Sequence, residues 1–397
     1  MTAPSRSPAM RLSAILLVVA ALVPASLQGQ SIYNSAGLGL PVESLDARTR
    51  SLGNVGIGLL GSRVLPSDPA AAALLGIPGA VLTAQPSWVE LGRTDTGETG
   101  SYQGTRFPLV GISYPAWDFG MATFSFGSVL DQRYSGIRNA TVDLEEGPVA
   151  VVDSFDVSGG ISEVRLGLAR PVGSAFQVGV SVGRYTGSTL RTLIRSLDGV
   201  SLTGTVSDFQ EGGRWEYSGT SVTGGASMNV GQIARLAGSV TWSSELTAQA
   251  DSEEQEDRTF DLPLELRVGA SAMLAPGLLV NASLRRASWG GTGDDLRTGT
   301  ARDVTAYGAG IELSRARLLG RQAPIRVGYR SADLPFSLNG EPASETAWTG
   351  GIGLDLASTG PLVLAGLDLA VEWGERSEIG VVEDFWRGSL TLRVSGL

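Results

Sequence analysis

Three properties of this sequence predict an all-β protein, a transmembrane antiparallel β-barrel of about fourteen strands. Long runs of residues alternate between an apolar set and a polar set. The connections between these runs alternate between long and short. Charged residues make up only 18% of the chain, whereas glycine occurs 54 times. Period-two runs of about ten residues, joined in turn by tight turns and longer loops, are typical of outer-membrane barrels.

The clearest alternation lies in the last hairpin of the chain. The run 362–373 places Val371 and Trp373 on one face and Asp368 and Glu372 on the other. The final run repeats this pattern, with an apolar face that has an aromatic residue at its rim and a face that carries charge. A charge that faces lipid near the bilayer centre costs about 2–4 kcal/mol. A lipid solvent therefore enforces this segregation.

The N-terminal residues 1–29 have the composition of a secretory signal peptide. Two arginines precede the apolar stretch Leu12–Val23, and the first 30 residues contain no acid. The stretch is too short for a stable membrane helix. Cleavage is expected after Ala25 or Gly29, which leaves 28 arginines against 40 acidic residues. This acidic balance argues against a nucleic-acid partner.

Residues 30–78 lack strand alternation and predict a plug inside the barrel. Within them, Ser67–Leu75 predicts a short helix that Ser67 or Asp68 would cap, with Pro69 in its first turn. A segment of this size cannot bury a core of its own. Its apolar content favours packing inside the barrel.

The remaining residues, 79–397, predict the barrel wall. The predicted strands cover residues 80–91, 104–114, 118–133, 160–171, 175–187, 213–228, 233–248, 259–274, 278–289, 302–317, 323–331, 344–357, 362–373 and 384–396. Connections after odd-numbered strands are expected to be long and those after even-numbered strands short. In outer-membrane barrels the long loops lie outside and the short turns lie in the periplasm.

Tryptophan positions support the same arrangement. Trp289 and Trp373 end strands that run upward, and Trp215, Trp348 and Trp386 begin strands that run downward. All five are therefore expected near the outer rim, as an interfacial aromatic belt.

Missing residue types exclude most catalytic chemistry. The chain has no cysteine, histidine or lysine, so its 30 basic residues are all arginine. A cysteine or histidine zinc site, a catalytic triad with histidine and a lysine Schiff base are excluded. No enzyme, cofactor or metal site is predicted. The acidic run 251–257 lacks the spacing of a calcium loop and is interpreted, like 143–146, as a solvated loop.

Five arginines on the predicted inward faces are candidate ligand-binding residues: Arg267, Arg326, Arg330, Arg387 and Arg393. A guanidinium pairs well with a carboxylate head group. The alternative is that these arginines pair with inward-facing acids and with the plug, because unpaired charge in a narrow lumen is costly.

The chain resembles the FadL-like outer-membrane superfamily, which includes long-chain fatty acid transporters and PorV-like relatives. The resemblance rests on the glycine-spaced segment 52–58, the strand pattern with segments such as 324–330, and a short plug motif. Members typically carry Asn-Pro-Ala in the plug; the motif here is Asp68, Pro69 and Ala70.

This resemblance implies a protein of the bacterial outer membrane that takes up hydrophobic, fatty-acid-like molecules through a plugged barrel. The expected partners are outer-membrane lipid, the hydrophobic small molecule and the barrel assembly machinery. The alternative is a non-transporting barrel that acts as a surface shuttle or scaffold for secreted proteins. A general diffusion porin conflicts with the plug.

Overall fold

The computed structural model describes residues 31–93, 97, 99–144, 147–197, 209–252, 255–295, 301–318, 320–359 and 362–396. The predicted signal peptide lies outside these residues. In the part of the chain described, no helix is long and apolar enough to cross a membrane.

Fourteen antiparallel strands form a closed barrel. They are β1 Gly79–Arg93, β2 Thr99–Pro115, β3 Met121–Asp131, β4 Gly147–Val172, β5 Phe176–Leu197, β6 Phe209–Val230, β7 Ala234–Ser243, β8 Glu265–Ala275, β9 Leu278–Ala287, β10 Val304–Leu313, β11 Ile325–Asp333, β12 Ser344–Thr359, β13 Leu362–Glu378 and β14 Val381–Ser395. Pairing between β14 and β1 closes the wall. The prediction of a fourteen-stranded barrel is confirmed.

The other elements are short. One α-helix, α1, spans Ala47–Ser51. The 3₁₀ helices are Ile32–Ser35, Pro69–Ala72, Trp117–Phe119 and Trp289–Asp295, and the additional strands are Leu40–Pro41, Tyr134–Leu144, Leu246–Ala250, Arg258–Phe260, Arg317–Leu318 and Arg321–Gln322.

The predicted inward and outward faces are confirmed along most of the wall. In β10 every second residue is buried, and Tyr307 and Ile311 are about half exposed, whereas Ala306 and Glu312 face inward and are buried. Successive side chains of a strand point to opposite faces, so the sequence period becomes a lipid face and a lumen face.

A row of aromatic side chains crosses five neighbouring strands on the outer face. Cross-strand register places Trp88 beside Trp386, Trp386 beside Trp373, Trp373 beside Trp348, and Trp348 beside Tyr329. The rings of Trp373 and Trp386 stack with centroids 5.8 Å apart. This row has the position of an interfacial aromatic belt.

The rim prediction was wrong for Trp289 and Trp215. Trp289 is buried and Trp215 partly buried, and both pack in an interior apolar cluster with Phe260. Phe260 lies at the start of the range 259–274, which the sequence predicts as one continuous strand. Residues 261–264 are not in a strand, so the alternation restarts and Phe260 turns inward.

The predicted loop lengths were wrong at several connections. The long loop expected over 374–383 is a two-residue turn at Ile379 and Gly380. The loop expected over 134–159 is a strand, Tyr134–Leu144, paired with the upper half of β4. Above the membrane, strand pairing continues although neither face has to be apolar. The strand therefore persists where the alternation of apolar residues that predicts it is lost.

Residues 31–78, called the N-terminal segment below, pack against lumen-facing side chains on two sides of the wall. Helix α1 contacts β12, β13 and β14, and the 3₁₀ helix Pro69–Ala72 contacts β4, β5 and β6. Asp46 caps α1 by accepting a 2.7 Å hydrogen bond from the Thr49 amide. The predicted cap at Asp68 was wrong because its side chain makes no capping hydrogen bond, although Pro69 does begin the helix.

Candidate functional site

The predicted plug motif attaches the N-terminal segment to one side of the wall. Both carboxylate oxygens of buried Asp68 accept hydrogen bonds from Arg235 Nη2 on β7, each 3.1 Å long. One of them also accepts from the Gly58 amide at 3.2 Å. The Pro69 and Ala70 backbone lies directly against Gly179 of β5, where a Cβ would overlap with it. Asp68 is therefore a buried ion-pair partner and not a helix cap.

Arginines of helix α1 attach the segment to the opposite side. Arg48 Nε donates to a carboxylate oxygen of Glu312 on β10 at 2.7 Å. Arg50, fully buried, pairs with Glu372 on β13 at 3.4 Å. These ion pairs join α1 to strands far from the Asp68 contact.

Three of the five arginines predicted as ligand-binding residues are paired with carboxylates of the wall. Arg267 pairs with Glu265 at 2.8 Å. Arg326 and Arg393 both pair with Asp368, at 2.7 Å and 2.8 Å. The alternative prediction of pairing within the lumen describes these contacts.

The other two arginines share one glutamate. Arg330 and Arg387 donate to the same oxygen of Glu345, at 2.9 Å and 2.8 Å. Arg330 also reaches Glu43 of the N-terminal segment at 3.2 Å. The structure thus brings these two residues together, and each already holds a carboxylate.

The sequence reasoning missed Arg106, an inward-facing residue of β2. Its Nε donates to Gln85 Oε1 at 2.5 Å, and none of the ion pairs formed among the described residues includes it. It lines a chamber with Arg376 and Arg387, whose guanidinium groups stand 4.6 Å and 4.3 Å from the ring centroid of Phe385. A lone arginine two residues before a proline gives no sequence signal for such a chamber.

The surroundings of Arg106 hold equal numbers of arginines and acids. The arginines are Arg50, Arg106, Arg285, Arg330, Arg376 and Arg387, and the acids that line the same space or contact these arginines are Glu43, Asp131, Asp333, Glu345, Glu372 and Glu383. Arg106 differs from the other arginines in its contact, because its guanidinium donates to an amide oxygen and forms no ion pair with a described residue. A guanidinium without a carboxylate partner favours binding of an oxyanion.

The barrel wall is interrupted between β2 and β3. The two strands pair only from Val110 beside Phe126 to Pro115 beside Met121. Above these pairs, residues 99–109 of β2 pair with β1 alone among the described strands. The upper wall therefore has a lateral gap.

Two residues explain the gap. Between Thr83 and Gln85 of β1, the register with β2 shifts and leaves one extra residue on β2, beside Pro108. Proline has no N–H to donate to a ladder. A Cβ at inward-facing Gly127 of β3 would strike the Pro108 carbonyl. At Pro108 the β2 backbone therefore passes on the lumen side of β3.

The N-terminal segment covers the free edge of β3 at the gap. Leu40–Pro41 pairs antiparallel with Leu130 and Asp131, and the Val42 amide donates to the Val129 carbonyl at 2.7 Å. The segment thus supplies the hydrogen bonds that β2 would otherwise make.

A groove of about 490 Å³ opens at the gap, and its lining includes the buried residues Ile32 and Leu91. Tyr102 of β2 and Tyr134 of the strand Tyr134–Leu144 line it together, and their rings pack against each other with centroids 6.4 Å apart. Ile137, which is 72% exposed, and Phe155 add apolar surface. The groove is large enough for a small hydrophobic molecule, since ligand pockets occupy about 300–1,000 Å³.

The interior offers much less space. A lumen cavity beside Arg285 and Trp289 has a volume of about 90 Å³, and the chamber at Arg106 about 30 Å³. Neither can hold a fatty-acid chain in this conformation. In the part of the chain described, no three acidic side chains are grouped so as to hold a metal ion.

No protein-family model matches the chain. No curated protein matches it either. Solved structures do: a FadL homologue of Pseudomonas aeruginosa has 11% identity and a TM-score of 0.62, over 90% of this chain and 100% of that one. The Pseudomonas putida toluene transporter TodX has 13% identity and a TM-score of 0.54, over 91% and 100%. The monoaromatic hydrocarbon channel CymD has 14% identity and a TM-score of 0.55, over 90% and 98%.

Proposed function

Because the chain has the FadL-like outer-membrane barrel fold, we propose that it takes up hydrophobic small molecules across the bacterial outer membrane. Fatty-acid-like amphiphiles are the proposed ligands. The observation that carries the proposal is the interrupted ladder between β2 and β3 beside a groove with aromatic and aliphatic side chains in its lining. Solved neighbours described as a toluene transporter and a hydrocarbon channel are consistent with it.

The proposed path runs from the groove to the lateral gap. The apolar body of the ligand first leaves water against the paired rings of Tyr102 and Tyr134, which removes apolar surface from solvent at about 25 cal/mol per Å². A straight route down the lumen is closed, because the N-terminal segment acts as the plug. The ligand therefore moves past the edge of β3 that Leu40–Pro41 now covers.

The guanidinium of Arg106 selects the polar end of the ligand. A carboxylate that enters behind the groove meets a guanidinium without an acidic partner among the described residues. Charge-assisted hydrogen bonds to arginine are about twice as strong as neutral ones. A ligand with both an apolar chain and a carboxylate uses both features of the site.

The test is uptake of radiolabelled dodecanoate by a Gram-negative host that lacks its own fatty acid transporter. The chain has no native cysteine, so Tyr102→Cys with Tyr134→Cys can be joined by a short bifunctional thiol reagent across the groove. Cross-linking is expected to abolish uptake. The matched control is Ser377→Cys with Val382→Cys, a register pair on β13 and β14 that are already paired. Equal uptake before and after cross-linking the groove would reject the proposed path.

A second candidate, a shuttle or scaffold for secreted proteins, is favoured by one observation. Strands β4, β5 and β6 have 26, 22 and 22 residues, whereas about 9–11 residues cross a bilayer. Their upper parts form a sheet above the rim, next to strand Tyr134–Leu144. A host that takes up no dodecanoate, but whose purified barrel retains a secreted protein, would favour this candidate.

A further inference from the structure

The connection between β10 and β11 differs from the other connections at the same end of the barrel. It spans residues 314–324 and is called the basic turn below. The other connections at that end have two to five residues. The basic turn contains three arginines and no acid, in a chain with a net charge of −10.

The three arginines are exposed and lie along the rim. Arg315, Arg317 and Arg321 are all exposed, and no ion pair among the described residues includes any of them. Arg321 Nη1 donates to the backbone carbonyls of Asp355 and Leu356 on β12, at 3.2 Å and 2.9 Å. These hydrogen bonds hold its guanidinium against the neighbouring wall.

Arg315 extends in the other direction. Its side-chain carbons lie against Gly277, within 2.5 Å to 3.2 Å of where a Cβ would stand, in the turn between β8 and β9. The Ser314 amide fixes this contact by donating to the Gly277 carbonyl at 2.8 Å. The basic turn thus spreads its positive charge along several strands instead of projecting away from them.

Apolar residues place this charge at the level of lipid head groups. Leu313 and Ile325, the wall residues on either side of the turn, are 49% and 50% exposed on the lipid face. Leu318 within the turn is 46% exposed. Arginines next to the end of an apolar band reach the phosphate layer of the membrane.

We propose that the basic turn is a binding site for anionic phospholipid head groups of the inner leaflet of the outer membrane. Short turns of such barrels face the periplasm, so the leaflet in contact with this rim is the inner one. Guanidinium groups bind phosphate oxygens in a fork geometry that an ammonium lacks. Exposed Leu318 favours a lipid surface over an acidic protein as the partner.

The test compares lipids retained by the purified full-length barrel in mixed micelles of phosphatidylglycerol and phosphatidylcholine, counted by native mass spectrometry. The variant changes all three arginines of the basic turn to glutamine, and wild type is expected to prefer phosphatidylglycerol by about fivefold per arginine at low salt. The matched control changes Arg184, Arg214 and Arg286 to glutamine. These exposed arginines lie in the half of the barrel opposite to the basic turn. A shift of the folded band on unheated gels verifies that each variant folds.

The site predicts loss of this preference in the first variant and its persistence in the control. Replacement of the same three residues with lysine is expected to keep most of the preference, since the charge remains. Equal loss in both glutamine variants, or loss in neither, would refute the site. Displacement of the lipid by millimolar inorganic phosphate would make it a phosphate-ion site instead, and capture of an acidic periplasmic protein without lipid preference would also overturn it.

Discussion

Replacing Asp68 with asparagine tests how the N-terminal segment is held. The Asp68 side chain is 2% exposed. Its carboxylate accepts two hydrogen bonds from Arg235 and one from the Gly58 amide. Asparagine can still accept the hydrogen bond from the Gly58 amide, but it leaves the guanidinium of Arg235, which is 3% exposed, without a counter-charge. Breaking a buried ion pair from one side costs about 3–5 kcal/mol. The equilibrium ratio of docked to released segment should therefore fall by roughly two to four orders of magnitude.

The assay is trypsin digestion of the folded barrel. The N-terminal segment contains three arginines that its docked state buries or half-buries, and cleavage by trypsin follows the population of the open form. Faster cleavage within residues 31–78 is expected for Asp68→Asn, and partial recovery for Asp68→Asn with Arg235→Gln, which removes the stranded charge. Exposed Asp118→Asn is the control. Equal cleavage of the single and double variants would show that the charge left on Arg235 is not the cause.

Three further predictions follow from other contacts. Arg106→Gln is expected to weaken dodecanoate binding by about tenfold and to leave dodecanol binding unchanged. Competition assays with a fluorescent fatty acid measure both affinities. Equal loss of affinity for the two ligands would reject a carboxylate contact. Gly308→Ala places a Cβ against the Gly53 carbonyl, so trypsin should cut the segment faster than in wild type, and wild-type cleavage would count against this packing. The Arg195 hydrogen bond lowers the pKa of Asp153 from its usual 3.8 to about 2. A lowered pKa gives stability that is present above pH 3.8 and lost toward pH 2. Hydrogen-exchange protection in the sheet formed by the upper parts of β4, β5 and β6 should therefore be constant from pH 7 to 5 and fall below pH 4.

The wall could be predicted from sequence because lipid and lumen impose opposite chemistries on alternate residues. Asp368 and Glu372 were placed inward, and both are fully buried and ion-paired. Where water replaces lipid, this constraint ends. The strand Tyr134–Leu144 pairs with β4 without an apolar period, so nothing in the sequence distinguished it from a loop.

The gap and the chamber behind it could not be predicted for a different reason. Pro108 and Gly127 are unremarkable in sequence, and their effect arises only when β2 and β3 lie side by side. The same holds for Arg106. An alternation pattern assigns an arginine to the lumen, but whether it has a carboxylate partner depends on strands far away in the chain.

The attachments of the N-terminal segment favour local movement over release of the whole segment. On the β10 and β13 side, half-buried Arg48 and buried Arg50 form ion pairs that would each have to be broken and rehydrated. At the gap, the segment contributes a two-residue ladder, Leu40–Pro41, and the hydrogen bond from Val42. Exchanging those few backbone hydrogen bonds for others costs little, because the net value of each is about 1 kcal/mol. On the proposed path, a ligand in the groove therefore meets the N-terminal segment at its weakest attachment, while the ion pairs hold the rest of the segment in place.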